Sequence, residues 1–136
     1  MEIEIIELDD KQCLDIENRL SNYDEDYIGY QLSGNVSIGL VSGGRLIAGA
    51  DGCMTAFKVF YLSTLYVDEN QRGKGLGRLL MQTMEEKAKA LGANMIRLDT
   101  FDWQGSPFYS KLGYEQVGSY ENELDGFSEY FFLKRI

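Results

Sequence analysis

Charged and apolar residues alternate from Glu2 to Leu8, the period of two expected of a half-buried strand with Ile3, Ile5 and Leu8 inward. The period then lengthens. Cys13, Ile16, Glu17 and Leu20 recur at spacings of three and four in a stretch without glycine or proline, which predicts a helix from about Asp10 to Tyr23. Tyr23-Asp24-Glu25-Asp26-Tyr27 reads as an acidic, aromatic loop or a short second helix. From Val36 the period returns to two: Val36, Ile38 and Leu40 alternate, Gly43-Gly44 supplies a primed turn, and Leu46 and Ala48 resume the pattern as a hairpin. Strand-like runs at Ala48 to Lys58 and Val59 to Val67 complete a largely antiparallel meander. A helical segment around residues 9–30 is expected to cover one of its faces.

The second half changes character. Leu76, Leu79, Leu80, Met84, Ala88 and Leu91 mark one face of a strongly amphipathic helix, with Glu85 and Lys89 as an i,i+4 pair and Gly92 as its stop. Asn94 to Thr100 reads as a strand. Ser106-Pro107 predicts an N-cap followed by proline at the first helical position, with Gly113 ending a helix of barely two turns. Tyr114 to Tyr120 and Phe127 to Lys134 read as the last two strands.

Composition narrows what this scaffold does. The 136 residues fit one domain, 1–136, with a single core. A net charge of -9 argues against broad nucleic-acid binding, which needs a basic surface to displace counterions. No apolar run approaches the roughly 18 residues a membrane span requires, and the start is no signal peptide, so a cytoplasmic protein is expected. Cys13 and Cys53, far apart and without a Cys-x-x-Cys pair, read as buried, inert thiols. Histidine is absent, which disfavours a zinc site and removes the usual base of a Ser/His or Cys/His enzyme.

The candidate chemistry lies where an apolar strand gives way to the amphipathic helix. Gln71-Arg72-Gly73-Lys74-Gly75-Leu76-Gly77-Arg78 gathers three glycines and three cations at one helix N-terminus. Such a terminus offers unpaired N–H groups and the positive end of the macrodipole, and glycine lets an anion approach the backbone. A purely connecting turn explains the run poorly, because glycine in the first helical turns costs up to about 1 kcal/mol relative to alanine. Cations there also oppose the dipole unless an anion is present. A Walker A loop fails on spacing, since Lys74 is followed by glycine. A dinucleotide fingerprint is imitated by Gly75, Gly77 and Asp99. It fails because Leu80 stands at the third glycine, a polar stretch separates strand from loop, and there is only one parallel crossover.

The run Leu65-Tyr66-Val67-Asp68-Glu69-Asn70-Gln71-Arg72-Gly73-Lys74-Gly75-Leu76-Gly77 resembles the acetyl-CoA-binding motif of the GNAT acetyltransferase superfamily, Gln/Arg-x-x-Gly-x-Gly/Ala, filled by Arg72, Gly75 and Gly77. Phe108-Tyr109-Ser110-Lys111-Leu112-Gly113-Tyr114 resembles a second family element, and Gly126 to Arg135 is similar to the last strand of small bacterial members. The resemblance covers about Tyr61 to Ile136. It implies a mixed, mostly antiparallel α/β sheet of about six or seven strands with helices on both faces, the fourth and fifth strands splayed around the cofactor.

The resemblance also implies roles for individual residues. Leu65, Tyr66 and Val67 would pair with the pantetheine arm, and the N–H groups of Arg72, Gly73, Lys74, Gly75, Leu76, Gly77 and Arg78 would hold the pyrophosphate, with Lys111 beside the cofactor. Tyr109 would protonate the departing thiolate after direct attack by a primary amine in a ternary complex, while a backbone N–H near Leu65 to Val67 steadies the oxyanion. Many members carry asparagine seven positions before that tyrosine and alanine four before it. Here Asp102 and Gly105 stand there, and a carboxylate cannot donate as the amide does, so the pantetheine contact is either lost or moved to Gln104. Asp51, Glu25 and Ser63 are candidates for the base or its water, none singled out by a motif. The reading is an acetyl-CoA-dependent N-acetyltransferase, without metal, acting on a small-molecule or peptide amine. The acidic balance favours a cationic acceptor. The competing reading is a non-catalytic acyl-CoA-binding or sensing module. Tyr130, Phe131 and Phe132 in the last strand would serve a homodimer edge or the core equally well.

Overall fold

The computed structural model describes residues 1–29, 32–55 and 57–136. They fall into two compact units, Met1–Gln31 and Leu32–Ile136. Among the described residues no helix is long and apolar enough to cross a membrane.

The N-terminal unit holds one helix, α1 (Asp10–Asp24). Its start is closed by a capping box: the Asp9 carboxylate accepts from the Gln12 N–H at 2.8 Å, and the Gln12 side chain accepts from the Asp9 N–H at 3.0 Å. Arg19 and Asp15 pair one turn apart at 2.7 Å. The strand expected over Glu2 to Leu8 is not formed. Alternation qualifies a segment for a half-buried sheet position, but a strand exists only with a paired neighbour, and no ladder of the described structure includes these residues. Cys13, expected to be buried, is exposed. Tyr23 and Asp24 finish α1 and Glu25 to Tyr27 is turn, so no second helix forms, and the rings of Tyr23 and Tyr27 lie 5.7 Å apart.

The larger unit is a six-stranded sheet formed by β1 (Asn35–Ser42), β2 (Arg45–Met54), β3 (Val59–Val67), β4 (Met95–Phe101), β5 (Glu115–Asn122) and β6 (Phe127–Arg135). In space the order is β1-β2-β3-β4-β6-β5, antiparallel throughout except for the β3–β4 pair. Parallel neighbours need a crossover, and α2 (Leu76–Ala90) supplies it. Gly43 and Gly44, at φ 58° and 77°, make the tight β1–β2 turn that the Gly-Gly pair predicts. The single parallel pair and this strand order exclude a doubly wound dinucleotide fold.

Strand alternation sends Val36, Ala48, Ala50, Phe60, Leu62, Ile96, Leu98 and Phe132 to one face, where Leu80, Met81, Met84 and Ala88 of α2 meet them. Phe60, Met81, Met84 and Ile96 are wholly shielded from solvent. Leu79, placed on the inner face by its spacing, is half exposed, and Met81 takes its place. Gly52 faces Phe60 so closely that a Cβ would lie 2.4 Å from the ring, so β2 must be bare there. The short α3 (Ser106–Lys111) joins the same core through Tyr109. Its N-cap is Gly105, one residue before the expected Ser106, and Ser106 is its first helical residue. Glu85 does not pair with Lys89. It meets Lys134 of β6 at 2.6 Å, a contact that local spacing cannot anticipate.

Candidate active site

The sheet is open at one place. β3 and β4 pair from Val59↔Met95 to Leu62↔Leu98 and then part, although β3 runs on to Val67 and β4 to Phe101. Beyond the split β3 stays with β2 as far as Ala48↔Val67, and β4 stays with β6 as far as Phe101↔Glu129. The register slips where the strands separate: Asp51 opposes Thr64 and Gly52 opposes Leu62, leaving Ser63 as an extra residue in β3. Such a bulge bends its strand and re-aims the residues beyond it. Leu65, Tyr66 and Val67 therefore line one wall of the gap, with no strand on their β4 side.

At the far end of that wall the chain turns through Glu69–Gln71, a single 3-10 turn, into the glycine-rich loop and α2. Arg72 is braced rather than free: its Nε donates to the Val67 carbonyl at 3.0 Å, its guanidinium lies over the Tyr66 ring, and its N–H reaches the Glu69 carbonyl at 3.4 Å. The first backbone bond into the helix is Leu79 N–H to the Gly75 carbonyl. Among the described residues the N–H groups of Gly73, Lys74, Gly75, Leu76, Gly77 and Arg78 find no acceptor, and no side chain caps α2. This run is one residue narrower than the motif suggests, since Arg72 is engaged.

The three glycines have different reasons. Gly73 and Gly75 hold φ near 76° and 80° with open space where a side chain would stand. Gly77 is small because a Cβ would come within 3.0 Å of the Phe108 ring. The start of α2 is thus packed against α3. Lys74 donates to Gln71 Oε1 at 3.0 Å, and Arg78 and Lys111 are exposed.

Tyr109 is buried among Phe108, Tyr114 and Phe132, with ring centroids 5.1, 5.8 and 6.2 Å away. Gly105 makes room for it, since a Cβ there would stand 3.2 Å from the ring. Burial pushes its hydroxyl up to about 12. Phe108 and Leu112 do pack against the core, as the helical spacing suggested, but so does Tyr109 itself. Tyr114 is pushed further up by burial and then by the charge of Glu85, and its hydroxyl has no hydrogen-bond partner among the described residues. Gln104 closes the β4–α3 turn, its carbonyl accepting from the Phe101 N–H at 2.7 Å. Asp102 accepts from the Ser128 N–H at 3.0 Å and so ties the start of β6.

The opposite sheet face carries its own group of side chains. Tyr61 donates to Asp99 Oδ2 at 2.7 Å, and the Arg97 guanidinium lies 4.4 Å from the Tyr61 ring centroid. The hydrogen bond to Asp99, then burial, hold the Tyr61 hydroxyl above its ordinary value. A cavity of about 360 Å³, lined by Met95, Arg97, Asp99, Val117 and Phe131 among others, opens beside them. Nearer the strand ends Phe101 stacks on Trp103 at 4.7 Å, with Phe127 edge-on to both. Of the base candidates, Asp51 is engaged by the Ser37 hydroxyl, Ser63 donates to the Asp51 carbonyl, and Glu25 is the C-cap of α1. Sequence reasoning met Asp99 only as a dinucleotide mimic. The signal was present, because the inward set Ile96, Leu98 and Thr100 turns Arg97 and Asp99 to the other face.

Comparison with known proteins agrees with this geometry. Residues 3–114 match the model of the acetyltransferase (GNAT) family. A crystal structure of an acetyltransferase from Bacillus cereus ATCC 14579 superposes with a TM-score of 0.88 at 31% identity, covering 98% of each chain. An aminoglycoside 6'-N-acetyltransferase complexed with coenzyme A has the same fold, with a TM-score of 0.65 at 17% identity over 97% of each chain. The blasticidin-S acetyltransferase of Streptomyces morookaense is 29% identical over 77 residues, 56% of this chain and 57% of that protein, so the match spans little more than half of that relative. With a split sheet, an uncapped glycine-rich helix start beside it and a family match over most of its length, the chain belongs to the GNAT acetyltransferase family.

Proposed function

We propose that residues 1–136 act as one acetyl-CoA-dependent N-acetyltransferase domain, in which a primary amine attacks the thioester directly within a ternary complex. The observation that carries this reading is the parting of β3 and β4 beyond Leu62 and Leu98, beside the N–H groups at the start of α2 that find no acceptor among the described residues. The donor set fits the coenzyme. Consecutive N–H groups at a helix terminus, with Gly73 and Gly75 offering open backbone, suit a pyrophosphate. The free side of Leu65, Tyr66 and Val67 suits the amides of the pantetheine arm as an added strand would.

Tyr109 is the acid. Its raised hydroxyl is fully protonated at neutral pH, and the apolar surroundings that raise it also raise the proton affinity of a thiolate leaving into the same region. Gln104 and Lys111, at either end of α3, belong to the coenzyme side. The acceptor is a small-molecule or peptide amine, and the acidic balance favours a cationic one. The Streptomyces relative is a blasticidin-S acetyltransferase, which supports a small-molecule acceptor.

Calorimetric titration with acetyl-CoA tests the reading, on the native protein and on Gly75→Glu, which puts bulk and negative charge into the loop. Micromolar binding, weakened at least about 100-fold by the substitution, is expected. A folded protein that ignores acetyl-CoA refutes it. In a thiol-release assay over an amine panel, Tyr109→Phe should lose turnover and keep coenzyme affinity. Equal use of neutral and cationic amines would remove the acceptor preference.

A further inference from the structure

α2 and α3 pack on one face of the sheet, and on its other face one carboxylate stands at the vertex of the split. β4 pairs with β3 through Leu98, and Asp99 is the next residue. Its neighbours Leu98 and Thr100 are buried toward the helices, so Asp99 projects to the opposite face. There it is exposed, accepts from Tyr61 through Oδ2, and has no ion pair and no second hydrogen bond among the described residues. Other acids of these strands are engaged or displaced. Asp51 lies on β2 and is bonded by Ser37, while Asp102 is taken by the Ser128 N–H.

Resting on the acetyltransferase reading, we infer that Asp99 is the carboxylate that receives the acceptor's ammonium and takes its proton before attack, with Tyr61 and Arg97 as positioning residues. Tyr61 fixes Oδ2 and leaves Oδ1 open to an incoming N–H. Arg97 is held over the Tyr61 ring, so it braces the phenol without closing an ion pair onto the carboxylate. The charged and titratable groups around Asp99 are Tyr61 from β3, Arg97 from β4, Glu129 from β6 and Tyr120 from β5.

The step balances. The ammonium gives one proton to Asp99, and the freed lone pair forms the C–N bond to the thioester carbon. The resulting adduct loses its second N–H proton to solvent. The C–S bond breaks, and the thiolate takes the proton of Tyr109, which water then restores. Amine and acetyl thioester become amide and thiol with one proton released, since Asp99 returns its own to solvent.

The experiment measures kcat/KM against pH by thiol release, with spermidine and kanamycin as acceptors, for the native protein, Asp99→Asn, Tyr61→Phe and Asp51→Asn, alongside acetyl-CoA affinity. Asp99→Asn should lower kcat/KM roughly 100-fold and abolish the acidic limb of the profile, with coenzyme affinity within about twofold. Tyr61→Phe should lower kcat roughly tenfold with acceptor KM and coenzyme affinity unchanged, because the carboxylate is no longer held in place. Asp51→Asn should leave the limb in place. A native profile in Asp99→Asn, or the loss appearing in Asp51→Asn instead, overturns the assignment while leaving the acetyltransferase reading intact. If Asp99→Asn fails to fold, a native kcat in Tyr61→Phe overturns it. A native protein that binds acetyl-CoA and acetylates neither amine overturns both.

Discussion

Helices α1 and α2 are both fifteen residues long and begin in opposite ways. α1 closes its own N-terminus: Asp9 and Gln12 exchange hydrogen bonds, and Asp10 adds negative charge to the first turn. α2 has a left-handed glycine for a cap, no capping side chain, no acid in its first turn, and Arg78 in its place. A helix that served only the fold would gain from the first arrangement. The second leaves donors unmet and cations opposed to the dipole, a local instability that an anion removes. Capping, set side by side in one chain, separates a helix start that satisfies itself from one that leaves its donors open.

Five measurements put this contrast at risk. Acetyl-CoA at about 100 times its Kd should stabilise the protein by roughly 2.7 kcal/mol in thermal melts. Amide exchange should show new protection at Leu76 to Arg78 and none at Gln12. Equal protection of both helix starts would erase the distinction. Alkali should act on the α2–α3 core by a comparable amount. The Tyr109 hydroxyl is raised, so its contribution is fully present below its unfolded value of about 10 and is lost as pH rises through about 12. Stability of the larger unit followed by denaturant melts should therefore fall from about pH 10 upward, and less in Tyr109→Phe.

Asp9→Ala should cost α1 about 1 kcal/mol, read from exchange of the Gln12 amide, without altering acetyl-CoA affinity. Smallest is Arg78→Ala. Without ligand it should stabilise α2 by about 0.3–1 kcal/mol, because a cation leaves the positive end of the dipole, while coenzyme binding weakens. Destabilisation of the ligand-free protein would show that Arg78 serves the fold.

The parts of this molecule that local pattern governs could be read from the chain. Gly43-Gly44 announces the hairpin, the 3.6-residue period announces α2, and Gly75 and Gly77 with Phe108 to Tyr114 announce the family. Features set by distant partners could not be read that way. Glu2 to Leu8 alternates like a strand, yet pairing is a property of two segments. Glu85 has Lys89 one turn away and chooses Lys134, which the sheet brings closer. Tyr109 carries a family position and a core position at once, which residue type alone cannot express. Asp99 gains its meaning from the Ser63 bulge and the loss of register after Leu98, neither of which has a sequence signature.

The contact between Gly77 and Phe108 couples two parts that are far apart along the chain. The helix start proposed to hold the coenzyme and the short helix that carries the proposed acid touch at that point. A methyl group added at residue 77 would push them apart together. On the proposed reading, grip and acid are therefore inherited as a single gear, whereas Tyr61, Arg97 and Asp99 lie across the sheet from it. If Asp99 receives the acceptor as inferred, an engineer seeking a new acceptor can recut that far face and leave the gear untouched.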